Sequence, residues 1–288
     1  MLPMAPKGRS GAHPRRNMKR IAIANHKGGV GKSGLSVCLA GALRDEGRRV
    51  LVVDLDQQAT ATEWLGLRHP GELVDEDAFG ARLLETLACG QPLEALAHPS
   101  ISGVDVIPCG SGFAPFERQA ACQIASERLL ERALDGSTAK WDYVLLDCPP
   151  SLGLVTVNAL VAADLLLVPV EPKSASRTPI LTVLRLAQEV QSLINPRLEL
   201  LGIVASRFQP RLQHRQVEAW LRAHFHEQVF DTVVRESTHV SESHAFQKPV
   251  TQYLSASNGA ADYQALCREM LDRLEGRVQG VREVRIHG

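Results

Sequence analysis

Short apolar runs alternate with helix-length amphipathic stretches along most of this chain. Residues 20–25 (Arg-Ile-Ala-Ile-Ala-Asn) read as a strand, and beyond a glycine-rich stretch Leu35, Val37, Leu39, Ala40 and Leu43 follow the helical period until Gly47 closes it. Val50-Leu51-Val52-Val53-Asp54 is a continuous apolar run of the kind buried on both faces of a parallel sheet. The alternation repeats. Strands are expected at 104–107, 143–147, 165–170 and 198–206, and helices at 115–134, 152–162, 177–194, 213–226 and 260–276. This order predicts an α/β fold: a doubly wound, mostly parallel sheet with helices on both faces, in a single domain over residues 19–288. Residues 1–18, rich in Gly, Pro, Ser and Arg, read as a flexible basic tail, with Met18 an alternative start. The acid-rich stretch 63–87, with Glu63, Glu72, Asp75, Glu76, Asp77 and Glu85, reads as a surface insertion of loop and helix.

Composition sets bounds on this picture. The chain has 288 residues, 44% of them apolar, which is enough for a core that needs no disulfide or structural metal. Runs such as Val144–Leu146 and Leu165–Val168 fall far short of the roughly 20 residues that span a bilayer. The formal net charge is zero, from 32 basic and 32 acidic residues. That balance is uneven: Lys7, Arg9, Arg15, Arg16, Lys19 and Arg20 crowd the first 20 residues without an acid, which leaves the remainder at −6. Such a body needs a local basic patch to hold nucleic acid. The 6 cysteines, at positions 38, 89, 109, 122, 148 and 267, show no Cys-x-x-Cys pair, and read as scattered buried thiols in a reducing cytosol.

The chemistry concentrates in the glycine-rich stretch His26-Lys27-Gly28-Gly29-Val30-Gly31-Lys32-Ser33, which sits between the first strand and the first helix. A loop of this kind turns successive backbone amides into one concavity, and the helix N-terminus adds the positive end of its dipole, so it cradles phosphates. Lys32 would reach the β- and γ-phosphates and the Ser33 hydroxyl would ligate Mg²⁺. The usual G-x-x-x-x-G-K-[ST] pattern has a glycine at the position of His26, and an extra lysine stands at 27. Asp54 and Asp56 follow the second strand, and Asp147 ends the strand 143–147. Carboxylates at the C-terminal ends of parallel strands face the ligand crevice, where they hold a metal ion or position a water for attack on a phosphate.

Together with Asp147-Cys148-Pro149-Pro150-Ser151-Leu152-Gly153, Asn158–Asp164, Lys248-Pro249-Val250 and Gly259-Ala260, these motifs resemble those of ParA-type chromosome and plasmid partition ATPases. These belong to the deviant P-loop (deviant Walker A) NTPases that include MinD, and the similarity spans about residues 18–275. The resemblance implies a cytoplasmic, nucleoid-associated MgATPase that closes into a homodimer around two ATP molecules. The dimer would bind DNA without sequence preference, and a ParB-like partner would stimulate its slow hydrolysis. Carried onto this chain, Lys27, Gly28, Gly29, Val30, Gly31, Lys32, Ser33 and Gly34 would bind the nucleotide. Lys27, Lys32 and Asp56 would act in hydrolysis: Lys27 would cross to the partner's nucleotide and Asp56 would position water. Ser33, Asp54 and Asp147 would hold the metal.

The chain departs from the family at several points. Gly34 stands where a threonine is usual, Gln57 replaces the proline of Asp-Pro-Gln, Glu171-Pro172-Lys173-Ser174 lacks Glu-Tyr-Tyr, and His239 takes the place of an arginine. For DNA, Arg207, Arg211, Arg215 and Arg222 face only Glu218 between 207 and 222, and Arg211 resembles an arginine the family uses for DNA. A solvated helix face is the structural alternative. A MinD-like role at a membrane or protein scaffold is the functional alternative. The end of the chain, 276–288, carries Gly276 and Gly280 and no Phe, Trp or Leu, so no membrane partner is expected. An iron–sulfur reading could draw on Cys109, Cys122 and Cys148, but they lack close spacing.

Overall fold

The computed structural model describes residues 18–67, 76–137, 140–173 and 176–277. Apart from Met18, which packs against the core, the expected tail lies outside them, as do Ser174 and residues 278–288. Seven strands among the described residues form one sheet: β1 (Lys19–Ile23), β2 (Val50–Asp54), β3 (His98–Pro99), β4 (Asp105–Ile107), β5 (Tyr143–Asp147), β6 (Leu165–Val170) and β7 (Glu199–Ala205). The order is β3-β4-β2-β5-β1-β6-β7, and every pairing is parallel except β3 with β4. The short antiparallel β3 at the edge has no signal in the apolar pattern, since His98 and Pro99 offer no alternation.

Alternate strand residues feed two separate cores, as the period of 2 requires. Ile21, Ile23, Val50, Val52 and Leu145 face α1 (Lys32–Asp45), α2 (Thr60–Trp64), α10 (Val250–Tyr253) and α11 (Asn258–Leu274). Ala22, Ala24, Leu51, Val53 and Leu146 face α3 (Glu76–Ala88), α5 (Leu129–Asp135), α6 (Leu154–Ala162), α7 (Arg177–Leu193) and α8 (Leu212–Phe225). The helix after β1 thus covers one face while those after the neighbouring β5 and β6 cover the other. Such a divergence opens a crevice at the C-terminal strand ends, where α/β proteins bind ligands.

Two expectations need correction. The helix expected over 115–134 is broken into α4 (Phe116–Ala120), a 3₁₀ turn at Ser126–Arg128, and α5. Ala125 takes a left-handed φ of 56° at the break. The cause lies elsewhere in the chain: Asn158 accepts the Leu130 amide at 3.1 Å and donates to the Ser126 carbonyl at 2.8 Å, so it fixes a new helix start. The acid-rich stretch is also more than a surface insertion, because Leu83 and Leu87 of α3 are fully buried in the core. A further helix, α9 (Thr238–Ala245), lies beside α2 in a stretch with no helical apolar period.

Helix α1 carries the glycine-rich loop, and its close fit depends on Gly41. A Cβ there would stand 2.3 Å from Cβ of Pro249, the residue before α10. Exchanging glycine for alanine in a helix ordinarily gains about 1 kcal/mol, whereas overpacking a core costs about 1–3 kcal/mol. Gly41→Ala is therefore expected to lower the denaturation midpoint in urea despite the better helix former. A raised midpoint would show that α10 shifts freely.

Candidate nucleotide site

The glycine-rich loop leaves β1 and enters α1 at the crevice. Gly29 (φ 74°) and Gly31 (φ 88°, the cap of α1) are left-handed, a conformation that glycine adopts without a steric penalty. Asn25 anchors the start of the loop: it donates to Pro169 O of β6 at 2.7 Å and accepts the Lys27 amide at 3.0 Å. Lys32 is buried in the cradle, where its ammonium donates to Lys27 O at 3.2 Å. Burial lowers the Lys32 pKa, opposed by the charges of Asp147 and Asp56. The Lys27 ammonium is part-exposed, 3.6 Å from Glu171 Oε2.

Asp54 and Asp147 end neighbouring strands in direct register and are both fully buried. Burial pushes up the pKa of each carboxyl, and the Asp147 charge pushes Asp54 further. Their surroundings differ. Asp54 spends its oxygens on protein donors: Oδ2 accepts Thr62 N at 2.9 Å and Thr62 Oγ1 at 2.8 Å, and Oδ1 accepts Asp56 N at 3.1 Å. It thereby fastens α2 to the end of β2. Asp147 Oδ1 takes the Ser36 hydroxyl at 2.8 Å, and Ser33 and Lys32 also favour its charged form. Its Oδ2 is buried with no hydrogen-bond partner. That unpartnered oxygen, on a carboxylate whose charged form Ser33 favours, fits a hydrated cation. Asp56 accepts the Gln58 amide at 3.0 Å and stands between two cavities, of about 420 and 300 Å³.

The larger cavity runs from Gly28–Gly34 to a wall that the sequence pattern does not reveal, made by Trp64, Ser206, Arg207, Val234–Ser237, His244 and Tyr263. Glu171 and Lys173 are not part of it. The one clue in the sequence is Gly34: a Cβ there would lie 3.3 Å from the Trp64 ring, so the small residue makes room for the indole. Trp64 in turn stacks on His244, with centroids 4.9 Å apart.

The four arginines expected to face DNA are not equivalent. Arg207 lines the nucleotide cavity. Arg222 is engaged within the protein, 3.1 Å from Glu218 and 3.0 Å from Asp231. Arg211, at the cap of α8, and Arg215 are exposed. Between them, buried His214 accepts the Gln209 amide at its Nδ1 at 3.0 Å. His239 lies half-buried in α9. Of the cysteines, Cys38, Cys109, Cys148 and Cys267 are buried thiols as expected, whereas Cys89 and Cys122 are exposed. Among the described residues no group of three or more His, Cys, Asp or Glu side chains is placed to hold a metal ion.

A central parallel strand, a left-handed glycine loop and a buried Lys32 followed by Ser33 at the helix start define a phosphate-binding-loop NTPase. The chain belongs to the ParA/MinD family of partition ATPases. A family model described as an AAA domain matches residues 18–200. The chromosome-partitioning ATPase Soj of Thermus thermophilus is 38% identical over 264 residues, covering 91% of this chain and 98% of that protein. The chromosome partitioning protein ParA of Myxococcus xanthus is 34% identical over 256 residues, 88% of each chain. Among solved structures, cobyrinic acid a,c-diamide synthase from Mycobacterium smegmatis, with a bound ATP analogue and magnesium, superposes with a TM-score of 0.76 at 27% identity, covering 94% of this chain and 100% of that one.

Burial holds the His214 pKa below its ordinary value, with Arg211 and Lys173 acting the same way and Glu171 and Glu236 opposing. The unfolded chain then binds the proton more readily, so the stability that His214 contributes is full above its ordinary value near 6.5 and is lost as pH falls below it. Denaturation free energies between pH 7.5 and 5.5 should decline more steeply for the wild type than for His214→Gln. Parallel profiles would remove His214 from this role.

Proposed function

We propose that the protein is a DNA-partition ATPase in which ATP, held with Mg²⁺ in the larger cavity, closes a homodimer that binds DNA without sequence preference. A ParB-like partner stimulates hydrolysis, which releases the dimer, and the protein works in the cytoplasm on the nucleoid. The observation that carries the nucleotide reading is the buried, unpartnered Oδ2 of Asp147, a carboxylate whose charged form Ser33 and Lys32 favour. The family and the Soj and ParA relatives support the partition role.

In this reading the amides of residues 28–34 and the Lys32 ammonium bind the phosphates. Ser33, with Asp147 favouring a cation beside it, would hold Mg²⁺, which would neutralise phosphate charge. Asp54 acts through Asp56, because its Oδ1 holds the Asp56 amide and so fixes where that carboxylate stands. Asp56, whose Oδ1 is held by the Gln58 amide, keeps its carboxylate at the cavity wall to orient the attacking water. Lys27, in a loose pair with Glu171, is free to reach a second subunit's nucleotide, where its charge would stabilise the transition state. DNA phosphates meet Arg211 and Arg215.

Asp56→Ala should lower the hydrolysis rate by roughly 100-fold or more while ATP still binds; hydrolysis at the wild-type rate would take Asp56 out of the mechanism. DNA co-sedimentation should be strong with ATP and weak with ADP or no nucleotide, and Arg211→Glu with Arg215→Glu should weaken it without altering ATP affinity. Equal sedimentation in all three nucleotide conditions would refute the switch. Binding to anionic vesicles in place of DNA would favour the MinD-like role.

A further inference from the structure

A loop that turns its amides inward must turn the intervening carbonyls outward, and each of these is an acceptor that needs a donor. Two of them are met by consecutive side chains just past β7. Buried Ser206 donates its hydroxyl to Val30 O at 2.7 Å, and Arg207 donates Nη1 to Gly29 O at 3.0 Å. In the sheet β6 lies between β1 and β7, so both side chains reach across a strand end to meet the loop.

The segment bearing them is held in place at some cost. Arg207 has a left-handed φ of 50°, a conformation that a residue with a Cβ adopts only at an energetic cost. It is kept there by pairing with the chain that forms the opposite cavity wall: Phe208 N bonds Val234 O at 3.0 Å and Glu236 N bonds Phe208 O at 2.9 Å. The other edge of the guanidinium, Nη2, sits 2.9 Å from Glu236 Oε1, and the Gln209 amide group takes the second Glu236 oxygen. A planar fork with donors on two edges meets both acceptors at once, which an ammonium cannot do.

We propose that Ser206 and Arg207 are positioning residues of the nucleotide site, which clamp the phosphate loop by its outward carbonyls and keep its amides convergent on bound triphosphate. Arg207 then belongs to the ATP site and not to the DNA face that its place in the sequence suggests. The proposal rests on the nucleotide reading above. The clamp serves ground and transition states alike, so its loss raises KM and leaves kcat nearly unchanged.

Binding of a fluorescent ATP analogue, mant-ATP with Mg²⁺ and without DNA, tests the clamp, and wild-type binding settles the nucleotide reading before any variant is compared. Arg207→Ala, at a half-exposed position, with folding checked by circular dichroism, should raise Kd roughly tenfold, with KM following and kcat within about twofold. Arg207→Lys should recover part of the loss, since it reaches one acceptor of the two. Ser206→Ala should act in the same direction by a factor of about 3–10. Unchanged Kd in Arg207→Ala with weakened DNA co-sedimentation at saturating ATP would return Arg207 to the DNA face and overturn the clamp; so would a fall in kcat at constant KM.

Discussion

A fully buried carboxylate has to be answered by nearby donors, and Asp147 organises the site around that need. Moving such an ion out of water costs several kcal/mol. Here the charge is met by the Ser36 hydroxyl, by Ser33 and by Lys32, all within the first five residues of α1. The electrostatic demand at the end of β5 therefore fixes where α1 begins, and with it the glycine loop that precedes α1. One oxygen remains unanswered by the protein. The requirement that pins the fold is thus the one that selects the ligand: a cation brought with a phosphate chain balances a charge that the polypeptide leaves over.

The neighbouring Asp54 shows how the same residue type in the same register takes a different task. Its Oδ2 is fully used by Thr62 and its Oδ1 by the Asp56 amide. What it supplies is position. Thr62 Oγ1 also accepts the Cys109 amide at 3.0 Å, so Asp54 draws β2, α2 and the segment after β4 together, and it sets the turn that presents Asp56. Its influence on a metal ion would pass through that turn. Gly34 and Trp64 form a comparable pair on the other wall, where a missing side chain on α1 is matched by a large one on α2.

What was legible in the sequence follows from how local each feature is. Strands β1, β2, β5, β6 and β7 are buried on both faces, so each is a continuous apolar run and can be read without knowing its neighbours. The phosphate loop is contiguous, and its glycines and Lys32-Ser33 carry their meaning in eight residues. The break between α4 and α5 is dictated by Asn158, on a different helix. The far wall of the cavity is assembled from residues 64, 206–207, 234–244 and 263, and no spacing rule joins them. Arg207 and Arg222 look like surface charge for the same reason: their partners Gly29, Glu236 and Asp231 are brought to them only by the fold.

That redistribution of arginines bears on the zero net charge of the chain. With Arg207 at the phosphate loop and Arg222 held by two carboxylates, Arg211 and Arg215 are the exposed arginines of the four, and the proposed DNA contact falls to them. Two phosphate contacts correspond to a salt slope of about −1.8, and the four of a dimer to about −3.6. In the proposed reading two contacts alone would have to work against a body that beyond residue 20 is acidic at −6. Doubling the contacts on one duplex changes the outcome, because the second pair binds at the high effective concentration set by the first. On the proposed reading, a nucleotide that joins two subunits therefore needs no rearrangement of α8 to switch DNA binding on. In that proposal two weak patches joined by the nucleotide would suffice, and the neutral overall charge would keep a single subunit off the DNA.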